Sequence, residues 1–333
     1  MKIEPKALRD TNRIKLWEHV PLPAPLVVYL EPASLCNLRC NYCPTGHKGL
    51  RRLRPNGVMD FGLFVDIVDG FKELPAQVRR FNLYKDGEPL LNDRFCDMVE
   101  YLAISNVTEQ IWTKTNGLLL NDDTIDDLSG VPLDLLSISL VHPSSAGYRS
   151  LADVHIDYSA LRDHIAEMFY RPREYQLHVS LRDTGLSGDE KMQFYTDFED
   201  ICDHMAIEGL HGWSASDTFD FRMGTDESFD GTPIVDKQVC PLTLCALGIN
   251  WNGTVSPCNE DWKHAHIIGD LNTQSVSDIW NGGALHDFRM AHLEGRRGEL
   301  EMCADCQYMT CLPDNVDGHI EEIIGRLNDE TDR

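Results

Sequence analysis

Three cysteines, Cys36, Cys40 and Cys43, stand close together in the stretch CNLRCNYCP. A structural zinc site needs four ligands, often from two C-x2-C pairs, and only His47 is near enough in sequence to complete one here. A redox pair would use the C-x2-C part alone and leave Cys36 unexplained. Each iron of a four-iron cluster needs an external ligand, so three thiolates leave one iron open to another molecule. The spacing favours an open iron–sulfur site, with zinc and unligated thiols as alternatives.

The elements that must position these thiols are strands and helices in alternation from about residue 26 to residue 215. Apolar residues at i, i+3, i+4 and i+7, such as Phe64, Ile67, Val68 and Phe71 after an N-cap at Asp60, indicate helices between short apolar runs. Six such units predict an α/β fold, a partial (β/α)6 barrel with a parallel sheet and outer helices. The predicted strands are 26–31, 81–85, 110–115, 135–140, 175–181 and 207–213. The three cysteines follow the first strand, at the edge of the sheet where such folds hold their chemistry.

A second group of cysteines follows a change of composition after about residue 225, where GTDESFDGTP (224–233) is typical of a linker. We therefore expect four regions: an N-terminal extension (1–25), the barrel (26–225), a cysteine-rich module (226–315) and a C-terminal helix (316–333). In that last region Ile320, Ile323, Ile324 and Leu327 share one helical face, which predicts that the helix docks on the body of the protein.

The chain carries a formal net charge of -24. This charge disfavours a nucleic-acid partner, because phosphate binding calls for a basic stripe, and it could favour a cationic small-molecule substrate. The N-terminus has no apolar signal-peptide segment, and no apolar run approaches the roughly 20 residues of a membrane-spanning helix. We expect a cytoplasmic protein with no membrane partner, in which clustered cysteines bind metal rather than form disulfides.

The string Cys36-x3-Cys40-x2-Cys43, with Tyr42 before the last cysteine, resembles the signature of the radical S-adenosylmethionine (SAM) superfamily. The resemblance implies that these thiolates hold a 4Fe-4S cluster whose open iron is chelated by SAM. It also implies that an electron from the cluster cleaves SAM and yields a 5′-deoxyadenosyl radical, which abstracts hydrogen from a substrate. A flavodoxin- or ferredoxin-type protein would supply that electron.

Two further stretches resemble the cofactor-binding motifs of this superfamily. DGEPLLN (86–92) is similar to the GE motif, which implies that Gly87 and Glu88 bind the ammonium group of SAM. TKTNG (113–117) is similar to the stretch that lines the cofactor pocket, although Asn-Gly is also a common turn. The resemblance assigns these further residues to the cofactor or the substrate: Tyr42, Thr115, Asn116, Ser137, Ser139 and Arg182.

The second cysteine group, in 240–261 and 303–311, resembles the SPASM or the shorter twitch module that some radical enzymes carry. A full SPASM module has seven cysteines and two auxiliary clusters, whereas six cysteines are present here. The spacing of members with one auxiliary 4Fe-4S cluster implies as its ligands Cys240, Cys258, Cys303 and Cys306. Cys245 and Cys311 are then spare. A second, incomplete cluster that uses them and a zinc knuckle at Cys303 and Cys306 are alternatives.

The resemblance implies an oxidoreductase like those that oxidise an aminocyclitol alcohol in natural product biosynthesis. Such an enzyme would oxidise an alcohol of an aminocyclitol, sugar or nucleoside and use the auxiliary cluster as electron acceptor. The candidates for the base that takes the hydroxyl proton are His142, Arg182, Glu260 and Asp261.

Three alternatives remain open at this point. An epimerase would need a hydrogen donor such as Cys245 or Cys311. A maturase of ribosomal peptides would normally have an added N-terminal domain, and only about 25 residues precede the first predicted strand here. The chain could also be a structural iron–sulfur or zinc protein without activity.

Overall fold

The computed structural model describes residues 13–210, 212 and 233–331. Of the linker predicted at 224–233, all but Pro233 lies outside the described residues. Across the described ranges, no helix combines the length with the apolar character that crossing a lipid bilayer requires.

The strands of the described residues form one nine-stranded sheet in the order β6-β5-β4-β3-β2-β1-β7-β8-β9. They are β1 (Val27–Leu30), β2 (Arg80–Asn82), β3 (Ile111–Thr115), β4 (Leu135–Leu140), β5 (Gln176–Arg182), β6 (His204–Glu208), β7 (Ala246–Ile249), β8 (Thr254–Ser256) and β9 (Gly269–Asp270). Neighbours from β1 to β6 are parallel, which confirms the predicted parallel sheet of the barrel.

Two features of the sheet differ from the sequence-based expectation. The sixth strand begins at His204 rather than at residue 207, because His204 and Glu208 line the barrel interior and the strand lacks a continuous apolar run. The cysteine-rich module is also not separate from the sheet. Its strand β7 pairs in parallel with β1, and β8 and β9 continue the sheet in antiparallel fashion.

Helices cover the outer face of the sheet and build most of the cysteine-rich module. They are α1 (Leu16–His19), α2 (Phe61–Gly70), α3 (Phe95–Ser105), α4 (Asp122–Ser129), α5 (Ser145–Ala152), α6 (Tyr158–Tyr170), α7 (Gly188–Phe198), α8 (Leu242–Cys245), α9 (Val276–Trp280), α10 (Gly283–Leu293), α11 (Glu301–Ala304), α12 (Tyr308–Cys311) and α13 (Ile320–Thr331). The predicted cap of α2 is present, since the Asp60 carboxylate accepts a hydrogen bond from the Leu63 amide.

The C-terminal helix docks as its apolar face predicts. Ile323 and Leu327 of α13 are buried in a hydrophobic cluster with Leu16 and Val20 of the N-terminal segment. Trp17 stacks on His319 with ring centroids 3.6 Å apart. The two ends of the described chain therefore pack together and against the cysteine-rich module.

The pairing of the strands determines which side chains face the barrel interior. Lys114, Ser137, His178 and His204 lie in one row across β3 to β6, because residues paired across parallel strands share a face. The alternate positions of β4 are Leu136, Ile138 and Leu140, which belong to the hydrophobic core. The interior of the barrel is therefore polar, and the face toward the helices is apolar.

Candidate functional site

The loop that follows β1 brings Cys36, Cys40 and Cys43 together. Short backbone bonds shape it, among them Cys43 N to Cys40 O at 3.3 Å and His47 N to Cys43 O at 2.9 Å. Burial and, to a smaller extent, the negative charges of Glu88 and Cys43 raise the pKa of the Cys36 thiol to about 12. Burial also raises the pKa of Cys40, and there Cys43 and Cys36 add to the effect. Three mutually repelling thiolates need a cation to hold them, and an iron–sulfur cluster would provide it.

The spacing of the sulfur atoms bears on the zinc alternative. All eleven cysteines lie in described residues and are free thiols. No three of them have sulfurs that all lie within 4.8 Å of one another. A tetrahedral zinc ion with bonds of about 2.3 Å would hold its sulfurs about 3.8 Å apart. A cluster of four irons is larger and separates its thiolates further, so the spacing does not favour a single zinc ion at either cysteine group.

Gly87 and Glu88 lock the loop after β2 against the cysteine loop. The Glu88 amide donates to Leu35 O at 2.7 Å. A Cβ atom on Gly87 would lie 1.9 Å from Ala33 O, so only glycine permits this approach. The Glu88 side chain is buried rather than solvated, and burial raises its pKa to about 6. The carboxylate thus lies beside the cysteine loop, and no cation of the described residues pairs with it.

The stretch after β3 completes this corner. Thr115 Oγ1 and the Asn116 amide donate to the two Glu88 oxygens at 2.7 and 2.8 Å. Asn116 Nδ2 donates to Asn37 Oδ1 at 2.6 Å and lies 3.7 Å from Cys36 Sγ. The structure therefore brings the sequence-predicted residues of the first three loops into one contiguous corner at the carboxyl edge of the sheet.

Arg182 lies at the centre of the barrel mouth. Its Nη1 is 2.9 Å from Glu208 Oε2, and Lys114 Nζ is 3.2 Å from the same oxygen. Burial disfavours the charge of Arg182, but the combined effect of Glu208, Tyr42 and Tyr308 outweighs it and keeps the pKa of Arg182 above its usual value. Tyr42 belongs to the cysteine loop and Tyr308 to α12. Arg182 thus lies within electrostatic reach of both cysteine regions.

The polar residues of β4 occupy different surroundings. Ser137 Oγ is 3.0 Å from His178 Nδ1, and burial lowers the pKa of His178 to about 4, so this histidine is neutral. Ser139 is half-buried and pairs in register with Ser180. Both serines lie on the interior face, where a ligand at the barrel mouth could reach them.

His142 makes no hydrogen bond or ion pair with Arg182 or with the polar residues of β4. Its Nδ1 is 3.0 Å from the Oγ of Ser144, the N-cap of α5, and its Nε2 is 3.1 Å from Glu190 in the first turn of α7. These partners fix the ring at the starts of two helices, which is a structural position. Among His142, Arg182 and Glu260, His142 is the candidate that the geometry supports least.

The second cysteine group converges as the sequence spacing implies. Cys240, Cys258, Cys303 and Cys306 line one small cavity. Burial raises the pKa of Cys258 well above its usual value, and the three other thiols add to this effect. Arg297 donates to Cys303 O at 2.7 Å and to Cys306 O at 3.2 Å, which fixes the loop between those cysteines.

The two remaining cysteines of the module do not line this cavity. Cys245 Sγ donates to Pro241 O at 3.3 Å and packs in the hydrophobic cluster that holds the N-terminal segment. Cys311 is buried at the end of α12. The geometry separates them from the four thiols that share the cavity.

Glu260 and Asp261 follow Cys258 and have different positions. Glu260 lines the cavity. Burial is the main cause that raises the pKa of Tyr29 and of Tyr308, and the negative charge of Glu260 adds a smaller effect in the same direction. Asp261 instead accepts bonds from Ser256 Oγ at 2.8 Å and from the Ala265 amide at 2.9 Å. Asp261 therefore braces a loop, whereas Glu260 lies between the cavity and the barrel.

Sequence reasoning missed a buried ion network that joins the two cysteine regions. Arg54 pairs with Glu31 at the end of β1 and lies 3.3 Å from Asp86, which also accepts from Lys85 at 2.8 Å. His264 of the cysteine-rich module lies 3.6 Å from Glu31. Burial disfavours the charge of Glu31, but the combined effect of Arg54, His264 and Lys85 outweighs it and lowers the pKa of Glu31. Arg54 and Lys85 already neutralise both carboxylates, so this group does not favour a metal ion. The position of Glu31 and Asp86 at strand ends was the only signal in the sequence.

Comparisons with known protein families agree with this geometry. The radical SAM superfamily matches residues 30–194, and the iron-sulfur cluster-binding domain SPASM matches residues 240–307. The first match contains the three-cysteine loop and the Glu88 corner. The second contains the four cysteines that line the cavity.

Two known proteins and one solved structure resemble most of the chain. The chain is 24% identical over 321 residues to the tungsten-containing aldehyde ferredoxin oxidoreductase cofactor-modifying protein of Pyrococcus furiosus. This match covers 84% of the chain and 86% of that protein. It is 23% identical over 291 residues to the S-adenosyl-L-methionine-dependent 2-deoxy-scyllo-inosamine dehydrogenase of Niallia circulans, covering 84% and 92%. The crystal structure of BtrN in complex with AdoMet and 2-DOIA has the same fold, with a TM-score of 0.55 at 19% identity, covering 85% of this chain and 92% of that one.

Proposed function

Because the chain belongs to the radical SAM superfamily and carries a SPASM domain, we propose that it oxidises an alcohol group of a small polar substrate by hydrogen-atom abstraction. The observation that carries this proposal is the convergence of four thiols on one cavity beside Glu260 and Tyr308, next to the barrel. A complete set of four thiolates favours a cluster with no open iron, which suits an electron acceptor better than a substrate anchor.

We propose the following roles at the cofactor corner. Cys36, Cys40 and Cys43 would hold a 4Fe-4S cluster, and Glu88 would accept the ammonium group of SAM. When bound, this cluster and SAM supply the 5′-deoxyadenosyl radical that removes hydrogen. The Glu88 carboxylate is preorganised by Thr115 and Asn116 and lacks a cation, so an incoming ammonium would restore its charge balance. Gly87, Tyr42, Ser137 and Ser139 would shape the rest of the pocket.

At the substrate, Arg182 would orient the hydroxyl group and Glu260 would take its proton. Oxidation of a carbinol removes one hydrogen atom, one proton and one electron. Cys240, Cys258, Cys303 and Cys306 would hold the auxiliary 4Fe-4S cluster, which when bound supplies the acceptor for that electron. Glu260 lines the same cavity and lies close enough to Tyr29 and Tyr308 to raise the pKa of each. We therefore prefer it to His142 as the base.

The charges of the barrel interior bear on the substrate class. Lys114 and Arg182 share the single carboxylate of Glu208, which leaves one positive charge in excess. The acidic surface of the protein thus does not extend to this part of the interior. A neutral or anionic polyhydroxylated substrate, such as a sugar, cyclitol or nucleoside derivative, fits this charge better than the cationic substrate that net charge alone favours.

A second candidate function has support from one relative. The Pyrococcus furiosus protein, whose name describes the modification of an oxidoreductase cofactor, covers as much of this chain as the dehydrogenase does. We retain a cofactor of another enzyme as an alternative substrate. An epimerase has less support, because Cys245 and Cys311 do not line the cavity.

The test is anaerobic reconstitution with iron and sulfide, followed by reaction with SAM, dithionite and candidate polyols deuterated at the carbinol carbon. A neutral polyol is tried first, and 2-deoxy-scyllo-inosamine, named for the Niallia circulans relative and cationic through its amine, is tried beside it. We expect deuterium in 5′-deoxyadenosine and one ketone for each 5′-deoxyadenosine formed. A polyol that returns epimerised rather than oxidised would contradict the dehydrogenase proposal. Absence of 5′-deoxyadenosine under all conditions would contradict the radical chemistry itself.

A further inference from the structure

The charge of the chain is unevenly distributed around the three-cysteine loop. Between Glu31 and Asp60 the sequence contains no acidic residue, although the whole chain carries a net charge of -24. This stretch carries Arg39, Lys48, Arg51, Arg52 and Arg54. Arg54 is used in the buried ion network, and Arg39 donates to Cys36 O at 2.6 Å. The remaining three cations have no such internal role.

Lys48, Arg51 and Arg52 are built directly onto the cysteine loop. His47 N bonds to Cys43 O, and Arg51 N bonds in turn to His47 O at 3.1 Å. The side chains of Arg51 and Arg52 make no ion pair or hydrogen bond with any residue of the described ranges, and Lys48 reaches only Asp153 at 3.7 Å. Arg51 and Arg52, whose side chains pair with none of the residues that the structure describes, are therefore available to a partner.

Apolar side chains are exposed beside these cations. Leu53 is 56% exposed, Leu35 43% and Val58 38%. Leu53 follows the arginine pair, and the antiparallel bridge between Ala33 and Val58 brings the segment of Val58 against the segment that contains Leu35. We call the six residues the basic face: Leu35, Lys48, Arg51, Arg52, Leu53 and Val58. An apolar centre with charged residues beside it is the usual composition of a transient protein interface.

We propose that the basic face docks a small acidic one-electron carrier protein of the flavodoxin or ferredoxin class. The inference rests on the proposed radical chemistry, in which the cluster of Cys36, Cys40 and Cys43 must be reduced. The carrier would lose one electron, and that cluster would gain it. An acidic carrier is repelled by most of a surface with net charge -24 and attracted to this face, so the charge pattern would orient it with its redox centre toward the cysteine loop.

The test compares two double variants of the reconstituted holoenzyme that change net charge equally. Arg51→Glu/Arg52→Glu reverses the basic face, and Lys15→Glu/Lys72→Glu reverses two exposed cations whose surface pairs stabilise little. The probes are a purified flavodoxin and a purified ferredoxin. Their dissociation constants are measured by titration calorimetry at low and high salt, and 5′-deoxyadenosine formation is measured with each carrier and with dithionite.

We expect the basic-face variant to bind at least one carrier roughly tenfold more weakly at low salt, and this difference to shrink at high salt. Carrier-driven turnover should fall in parallel, while dithionite-driven turnover should match that of the wild type and the control. Equal carrier affinity in all three proteins would overturn the docking proposal and leave the radical chemistry intact. Loss of the dithionite reaction in the basic-face variant alone would assign these arginines to the cluster loop instead. A wild type inactive with dithionite would refute the proposed function.

Discussion

The two cysteine regions would hold iron with different numbers of thiols and in different surroundings. Cys36, Cys40 and Cys43 come from one loop, and two of the three are only half-buried. Cys240, Cys258, Cys303 and Cys306 come from separate elements and line one enclosed cavity. The first region offers three thiols next to a carboxylate without a cation, and the second offers four. We propose that open coordination in the first region serves to bind SAM and that complete coordination in the second serves to accept an electron.

The largest effect is expected from removing one thiol of the first region. Cys40→Ala deletes one of three thiolates, and a cluster held at only two corners should be lost. We expect iron to fall from about eight to about four atoms per chain and 5′-deoxyadenosine formation to disappear. The matched control is Cys96→Ala on α3, which removes a half-buried thiol outside both groups. An unchanged iron content in the Cys40 variant would contradict the open-site assignment.

Removing the second site should have a narrower effect. Cys258→Ala should also lower iron to about four atoms per chain, because it deletes one of the four thiols of the cavity. Since the three-cysteine loop is untouched, SAM cleavage should continue while ketone formation stops. The measurement is the ratio of ketone to 5′-deoxyadenosine. A variant that lacks the auxiliary iron and still forms ketone would show that another group takes the electron.

The pH dependence of SAM affinity tests whether Glu88, rather than the carboxylates of the acidic surface, controls SAM binding. Burial raises the pKa of Glu88 to about 6, so the carboxylate is mostly ionised above pH 6 and mostly protonated below it. Only the ionised form attracts an ammonium group, so SAM affinity should fall about tenfold between pH 7 and pH 5. Calorimetric titration of the reconstituted, unreduced protein measures this slope.

Variants of two carboxylates separate Glu88 from the surface charge. Glu88→Gln should bind SAM more weakly at pH 7 and show a flat profile between pH 5 and pH 7. Glu109→Gln, which changes an exposed carboxylate, should keep the wild-type slope. If the slope survives in Glu88→Gln, another group controls the binding.

The first site was predictable from sequence to the extent that its residues are local. Its residues lie at or just after the ends of strands that apolar patterning reveals, and parallel strands bring their carboxyl ends together. They are Cys36, Cys40, Cys43, Gly87, Glu88, Thr115 and Asn116. The position of Arg182 at the end of the fifth strand was predictable, but its ion pair with Glu208 was not. Glu208 lies on a strand that is too polar for apolar patterning to give its bounds.

The ion network of Glu31, Arg54, Lys85, Asp86 and His264 could not be predicted from the sequence. Its members come from distant parts of the chain, and a buried charge has no sequence signature apart from its partners. Pairing of β7 with β1 was hidden for a similar reason, since a parallel neighbour can come from any later strand. Local periodicity determines the elements, whereas contacts between distant segments depend on the assembled sheet.

The smallest expected effect decides between one auxiliary cluster and two. Cys245→Ala removes a thiol that donates to Pro241 O and packs among apolar side chains. If Cys245 is spare, iron should stay at about eight atoms per chain, the ratio of ketone to 5′-deoxyadenosine should not change, and the only cost should be about 1 kcal/mol of unfolding free energy from lost packing. Urea denaturation measures that cost, and Cys202→Ala, another buried thiol, sets the scale for packing alone. A wild type with about twelve irons, falling to about eight in Cys245→Ala, would instead mean that the module holds a second cluster, and the contrast between one open and one complete site would no longer describe the molecule.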